Sequence, residues 1–214
     1  YMDWFRIRKA ADKEPEVAIT GGVNVRYEER VAIHNPNDYD LEDFQVRIDL
    51  TPLVTPGTHI KLLDENNNPI PFVYEYDNGE CGNTNPSTIV WAKIPLIPAH
   101  STIYLKIVES DTPPPWSPSD IFDFYDDFED GEWSDVWVKT GSNQWVGVTT
   151  VDGHKVLYIR ARYNRYGGVR TQSKIQLNNK YIEARVKAST SSYRDLDAMV
   201  AAGTGTGISW SDNI

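Results

Sequence analysis

From Phe44 to Leu50 the chain sets an apolar side chain at every second position: Phe44, Val46, Ile48 and Leu50, with Gln45, Arg47 and Asp49 between them. Successive side chains of an extended strand point to opposite faces, so a period of two describes a strand buried on one side. The same period recurs in Val25, Tyr27, Val31 and Ile33, in Val90, Ala92 and Ile94, and in Ile103, Leu105 and Ile107. No segment sustains the 3.6-residue period of an amphipathic helix. Turn-formers separate the runs, as at Asn66-Asn67-Asn68-Pro69 and Asp77-Asn78-Gly79, and short strands so spaced argue for a β-sandwich. Composition agrees: 12 tyrosines, seven tryptophans and six phenylalanines stand against two methionines, and aromatic rings suit pleated sheets.

Asp111-Thr112-Pro113-Pro114-Pro115-Trp116-Ser117-Pro118 is a stiff extended segment that can continue neither a ladder nor a helix. Beyond it, Asp152-Gly153 is the strongest hairpin signal, flanked by Gly147–Thr150 and Lys155–Tyr163. Leu157, Ile159 and Ala161 are expected inward, with Tyr158, Arg160 and Arg162 outward. On a further strand Ile182, Ala184, Val186 and Ala188 are expected inward, with Glu183, Arg185 and Lys187 outward. The expected fold is all-β: two tandem antiparallel β-sandwich, jelly-roll-like modules over residues 1–112 and 119–214, joined by a Pro-rich linker at 113–118.

With 21 Lys and Arg against 31 Asp and Glu, the formal charge is -10, which repels polyanions and argues against a nucleic-acid partner. No stretch approaches the roughly 18 apolar residues of a membrane span, and Tyr1–Thr20 holds no apolar signal core, so any leader or anchor is expected to be already removed or never present. Cys81 is the lone cysteine, which excludes an internal disulfide and leaves the compartment open. His34, His59, His100 and His154 are scattered and form no metal-binding motif. A glycosidase needs two carboxylates about 5–9.5 Å apart. Glu183 is followed by Arg185 and Lys187 rather than by acids, and Asp195-Leu196-Asp197 lies in a polar stretch. No Gly-x-Ser-x-Gly elbow or phosphate loop occurs. The expectation is that the chain is not an enzyme.

Two constellations suit binding. Between Asp120 and Asp135 the chain holds acids and no Lys or Arg, and Asp123, Asp126, Asp127 and Asp130 are candidate oxygen ligands for a structural calcium ion; the alternative is a solvated acidic edge. Tyr158, Arg160, Arg162, Arg185 and Lys187 could read a sugar acid, with rings against pyranose faces and guanidinium forks on carboxylates; the alternative is an ordinary polar sheet face. Trp133, Trp137, Trp145 and Trp210 read equally as core rings.

Trp4-Phe5-Arg6, Val31–Asn35, Leu41–Ile48, Pro71–Glu75 and Trp91–Ala99 together resemble a domain of unknown function of archaeal and bacterial surface proteins, whose pattern includes W-V-K-V-P-x-I-P-A. No catalytic residues attach to that family. Phe124–Phe128, Trp133, Trp137, Gly141 and Tyr181–Lys187 are similar to a concanavalin-like (laminin-G or lectin/glucanase type) module. That resemblance implies a structural calcium near the first strand, and a longer fold than Ser119–Ile214 supplies. Met199–Ile214 is therefore expected to pair with a strand outside this sequence. The functional expectation is a non-catalytic extracellular or cell-surface protein for adhesion or glycan recognition, with a polysaccharide or surface glycan as partner. The alternatives are a structural subunit of an extracellular filament or virion, joined to identical subunits by strand donation, and an accessory module of a carbohydrate-active enzyme.

Overall fold

A computed structural model of the chain describes residues 2–20, 29–141, 144–161 and 167–187. Its strands are β1 (Met2–Lys9), β2 (Glu16–Thr20), β3 (Glu29–His34), β4 (Leu41–Asp49), β5 (His59–Leu63), β6 (Phe72–Glu75), β7 (Cys81–Gly82), β8 (Ile89–Ile97) and β9 (Thr102–Ser110). A single helical turn, α1 (Pro118–Ile121), precedes β10 (Phe124–Asp126), β11 (Trp137–Gly141), β12 (Gln144–Val151), β13 (His154–Ala161), β14 (Gly167–Thr171) and β15 (Lys180–Val186). The protein is nearly all β, with antiparallel sheets.

Two four-stranded sheets, ordered β2-β3-β9-β5 and β4-β8-β6-β7, form a sandwich. The alternating apolar residues meet between them: Phe44, Val46, Ile48, Leu50, Val90, Ala92, Ile94 and Leu105 are all buried in one cluster, with Ile103 half-buried against it. Tyr74 is fully buried there, and its hydroxyl accepts a hydrogen bond from the Ile60 N–H, which satisfies the polar end of the ring.

The other sheet runs β10-β1-β13-β12, with β15 also paired to β1. It faces the β11–β14 ribbon across a second core of Met2, Phe5, Ile7, Phe128, Trp137 and Leu157. Leu157 is fully buried, while Ile159, Ile182 and Ala184 pack partly buried against this cluster. The β12–β13 connection is the two-residue turn read from the sequence, with Asp152 at φ 53° and Gly153 at φ 92°, the double left-handed conformation of a type I′ turn.

Several expectations need correction. Val186 is exposed rather than inward: the β1–β15 pairing shifts register between Met2 and Trp4, and that bulge re-aims the strand end. Gln45, expected outward, is fully buried. The first strand does not join the first sandwich but hydrogen-bonds to β10, β13 and β15. It thereby covers the outer face of β4 and β8, where Gln45 accepts from the Lys9 N–H and donates to the Ile121 carbonyl. The Pro-rich segment is also packed: Pro114 is buried, and Trp116 lies 6.0 Å from the Phe72 ring. Val25, Tyr27, Ala188 and Met199–Ile214 lie outside the described residues.

A third cluster, Val73, Cys81, Trp91, Ile121 and Phe122, fills this junction. Arg6 crosses it, buried, with its guanidinium 4.5 Å from the Trp91 ring centre and 4.7 Å from that of Trp4. It pairs with Glu183 at 2.5 Å and with Glu75 at 3.6 Å. Ile48→Ala should cost about 2–5 kcal/mol in urea unfolding, since the cavity cannot fully collapse. Arg6→Ala should cost about 3–5 kcal/mol, because Glu75 and Glu183 would lose a buried counter-charge. A loss below about 1 kcal/mol in either variant would contradict this packing.

Candidate functional site

The sequence-predicted ligand set is divided by the fold. On β13, His154, Val156, Tyr158 and Arg160 share one face, opposite Val151, Thr149, Gly147 and Trp145 of β12. Tyr158 and Arg160 are exposed, and Trp145 is 66% exposed, so of its two readings the core ring is not the one the fold adopts. Trp133 and Trp137 do pack in or against the second core. Trp145 stands directly across from Arg160, and Gly147 directly across from Tyr158. A side chain at Gly147 would meet nothing within 4 Å, so the square of four positions has two rings, one guanidinium and one open corner.

Arg185 and Lys187, at the end of β15, line a cleft of about 460 Å³ with Asp3, Asn78, His154 and Val156, and so meet that face at its His154 end rather than beside Trp145 and Arg160. Arg185 is tied to the junction: it donates to the Asn78 carbonyl at 2.8 Å and pairs with Asp3 at 3.3 Å. Arg162, Asp195, Asp197 and Trp210 lie outside the described residues.

The acidic run is engaged in local structure. Asp126 accepts from the Phe128 N–H, Asp127 from the Glu129 N–H and Asp130 from the Glu132 N–H, three turns closed by an Asp side chain two residues back. Asp126 also accepts from the Trp137 indole at 2.6 Å, and Asp123 pairs with Lys180. Because Asp126 sits among rings, burial pushes its carboxyl up to about 6, against the two hydrogen bonds that favour the anion. Burial likewise raises Asp127.

Among the described residues, the group of potential metal ligands that converges is a different one: Glu80, Glu129 and His154, whose ligand atoms lie within 4.8 Å of one another. Glu80 precedes β7, Glu129 follows β10, and His154 opens β13. Residue separations of 49 and 25 gave no motif to find. Asn78 and Gly79 form the turn beside it; a Cβ on Gly79, at φ 86°, would come within 2.9 Å of the Trp4 ring. Burial raises the Glu80 carboxyl, eased by Asn78 and His154 and reinforced by Asp3 and Glu129. Cys81 carries no reactive thiolate: burial pushes its thiol up to about 12.

The Glu75 carboxyl lies at the centre of the junction's charges. Burial raises it, but hydrogen bonds from Arg47 and the Trp91 indole outweigh burial and hold it below its usual range.

The family Domain of unknown function (DUF2341) matches residues 56–145. The matched span runs from the first sandwich through the Pro-rich segment, α1, β10 and β11 to the start of β12. No curated protein and no solved structure matches the chain. No helix among the described residues is long and apolar enough to cross a membrane.

A buried carboxyl raised to about 6 binds a proton more tightly folded than unfolded. The stability contributed by Asp126 is therefore complete below its unfolded value, near 3.8, and lost as pH rises through about 6. Carbon-13 NMR of the carboxyl carbons should place the Asp126 midpoint near 6. Asp64, whose carboxylate accepts from the Asn68 side chain, should titrate below the ordinary aspartate range. An Asp126 midpoint at or below 4 would contradict its burial.

Proposed function

We propose that the chain is a non-catalytic, extracellular or cell-surface module that binds a polysaccharide or surface glycan on the exposed face of the β12–β13 hairpin. The observation that carries this reading is the 66% exposed indole of Trp145, on the same face as Tyr158 and Arg160 with an open corner at Gly147. Leaving a large ring in water forgoes the favourable burial that core tryptophans obtain, so an exposed ring beside a second ring suits a surface that is covered on binding. Pyranose rings present C–H bonds to aromatic faces and hydroxyls to polar neighbours. Arg160 supplies fork donors for a uronate or sulfate. The sheet-on-ribbon arrangement around Trp137 supports a concanavalin-like character for the second unit.

Binding of the whole chain to a panel of neutral and anionic polysaccharides by affinity electrophoresis, followed by calorimetry on the best ligand, tests the proposal. Trp145→Ala should weaken binding by roughly tenfold or more, about 1.4 kcal/mol, with an unchanged melting temperature because the ring is exposed. Arg160→Gln should weaken anionic ligands selectively. Retardation by none of the polysaccharides, or an unchanged dissociation constant in Trp145→Ala, would overturn it.

A further inference from the structure

We propose that Glu80, Glu129 and His154 form a binding site for one divalent metal ion of the zinc class, which clamps the first sandwich to the second sheet. The His154 Nδ1 lies 3.4 Å from Glu80 Oε2 and 3.6 Å from Glu129 Oε1. These separations are long for hydrogen bonds, which close at about 2.7–3.2 Å. They match the edge of a tetrahedron whose centre-to-corner bonds are about 2.1 Å, an edge of about 3.4 Å. One nitrogen and two carboxylate oxygens are the donor types of an open zinc site, with a fourth position for water.

The second observation is independent of that spacing. The Glu80 side chain is only 6% exposed, yet its Oε1 has no hydrogen-bond partner. Almost every buried polar atom in a folded protein is partnered, and a carboxylate oxygen left bare is costly. Glu80 Oε2 faces the imidazole and Oε1 is the bare atom, so one ion held by Glu80, Glu129 and His154 would bring positive charge to a buried carboxylate that has a second carboxylate beside it. The Asn78 Oδ1 accepts the Glu80 N–H and so holds Glu80 at its place in the turn, whereas the Asn78 side-chain nitrogen, 3.3 Å from the same His154 Nδ1, would yield that lone pair to a bound metal. Glu129 is oriented by the Lys155 N–H at 2.8 Å on its Oε1 and by the Lys155 ammonium on its carbonyl. Calcium fits less well: it takes six to eight oxygens and has little use for imidazole nitrogen.

The test uses the whole chain, stripped with EDTA and dialysed, then titrated with zinc chloride by calorimetry and melted with and without zinc. One equivalent should bind, and the melting temperature should rise saturably. His154→Ala should weaken zinc binding by more than roughly tenfold. Glu80→Gln keeps the side-chain shape and removes the buried charge, so it should melt at or above the metal-free wild type while losing the zinc-dependent rise. Asp130→Asn should retain both. Binding below half an equivalent, unchanged zinc affinity in His154→Ala or Glu80→Gln, or equal loss in Asp130→Asn would overturn the site. So would a melting rise given by calcium and withheld by zinc.

Discussion

The buried guanidinium of Arg6 is the contact on which the joining of the two halves depends. Removing an arginine from water costs several kcal/mol unless charge and hydrogen bonds replace the lost hydration. Here Glu183 and Glu75 provide the charge, and the flat faces of Trp91 and Trp4 provide contact for a weakly hydrated planar cation. The partners come from β1, β6, β8 and β15, so this compensation exists only when the first strand lies across the first sandwich with the last described strand beside it. A lysine in its place would keep the charge and lose both the stacking and the forked geometry. The ion pairs extend outward through Arg47 to Glu75 and through Arg8 to Glu183 and Glu14. Buried charge therefore fixes one arrangement of the two halves, where an apolar contact alone would tolerate sliding.

This network also gives the family-like residues a physical meaning. Trp4 and Arg6 on one strand, and Glu75 and Trp91 on two others, converge at the junction from three separate segments. The match over residues 56–145 fits that geometry, because the matched stretch includes Glu75 and Trp91 as well as Phe122 and Tyr125, which cover them.

The sequence revealed what depends on period and turn chemistry. Alternation from Phe44 to Leu50 placed Phe44, Val46 and Ile48 in the core, and Asp152-Gly153 placed the hairpin, because both are decided by neighbouring residues. What depends on tertiary covering was not legible. Gln45 looks like a solvent-facing residue of a one-sided strand until β1 and α1 are laid over it. Trp145 alternates with Val146 and Val148, which pack against the second core, so it points to the opposite face, and which of the two faces is covered is set only by the tertiary packing. The acidic run from Asp123 to Asp130 has two local readings, ligands or turn-formers; the fold shows Asp126, Asp127 and Asp130 closing turns through the backbone N–H groups two residues onward, an arrangement that local sequence alone does not separate from the first. His154 and Glu80 share no motif because the fold, not the spacing, brings them together.

The same junction holds two buried charged groups with opposite circumstances, and the contrast explains its chemistry. Arg6 has more partners than it needs; Glu80 has a bare oxygen and carboxylate neighbours in Asp3 and Glu129. A lone deficit of this kind is met by a proton or by a cation, and the two differ in what they would join. A proton on Glu80 would satisfy one oxygen locally, whereas a cation held also by His154 and Glu129 would join three separate segments. His154 begins the strand that carries Tyr158 and Arg160 on the same face. Anything that anchors His154 to the first sandwich therefore also sets the angle at which that face stands to the sandwich.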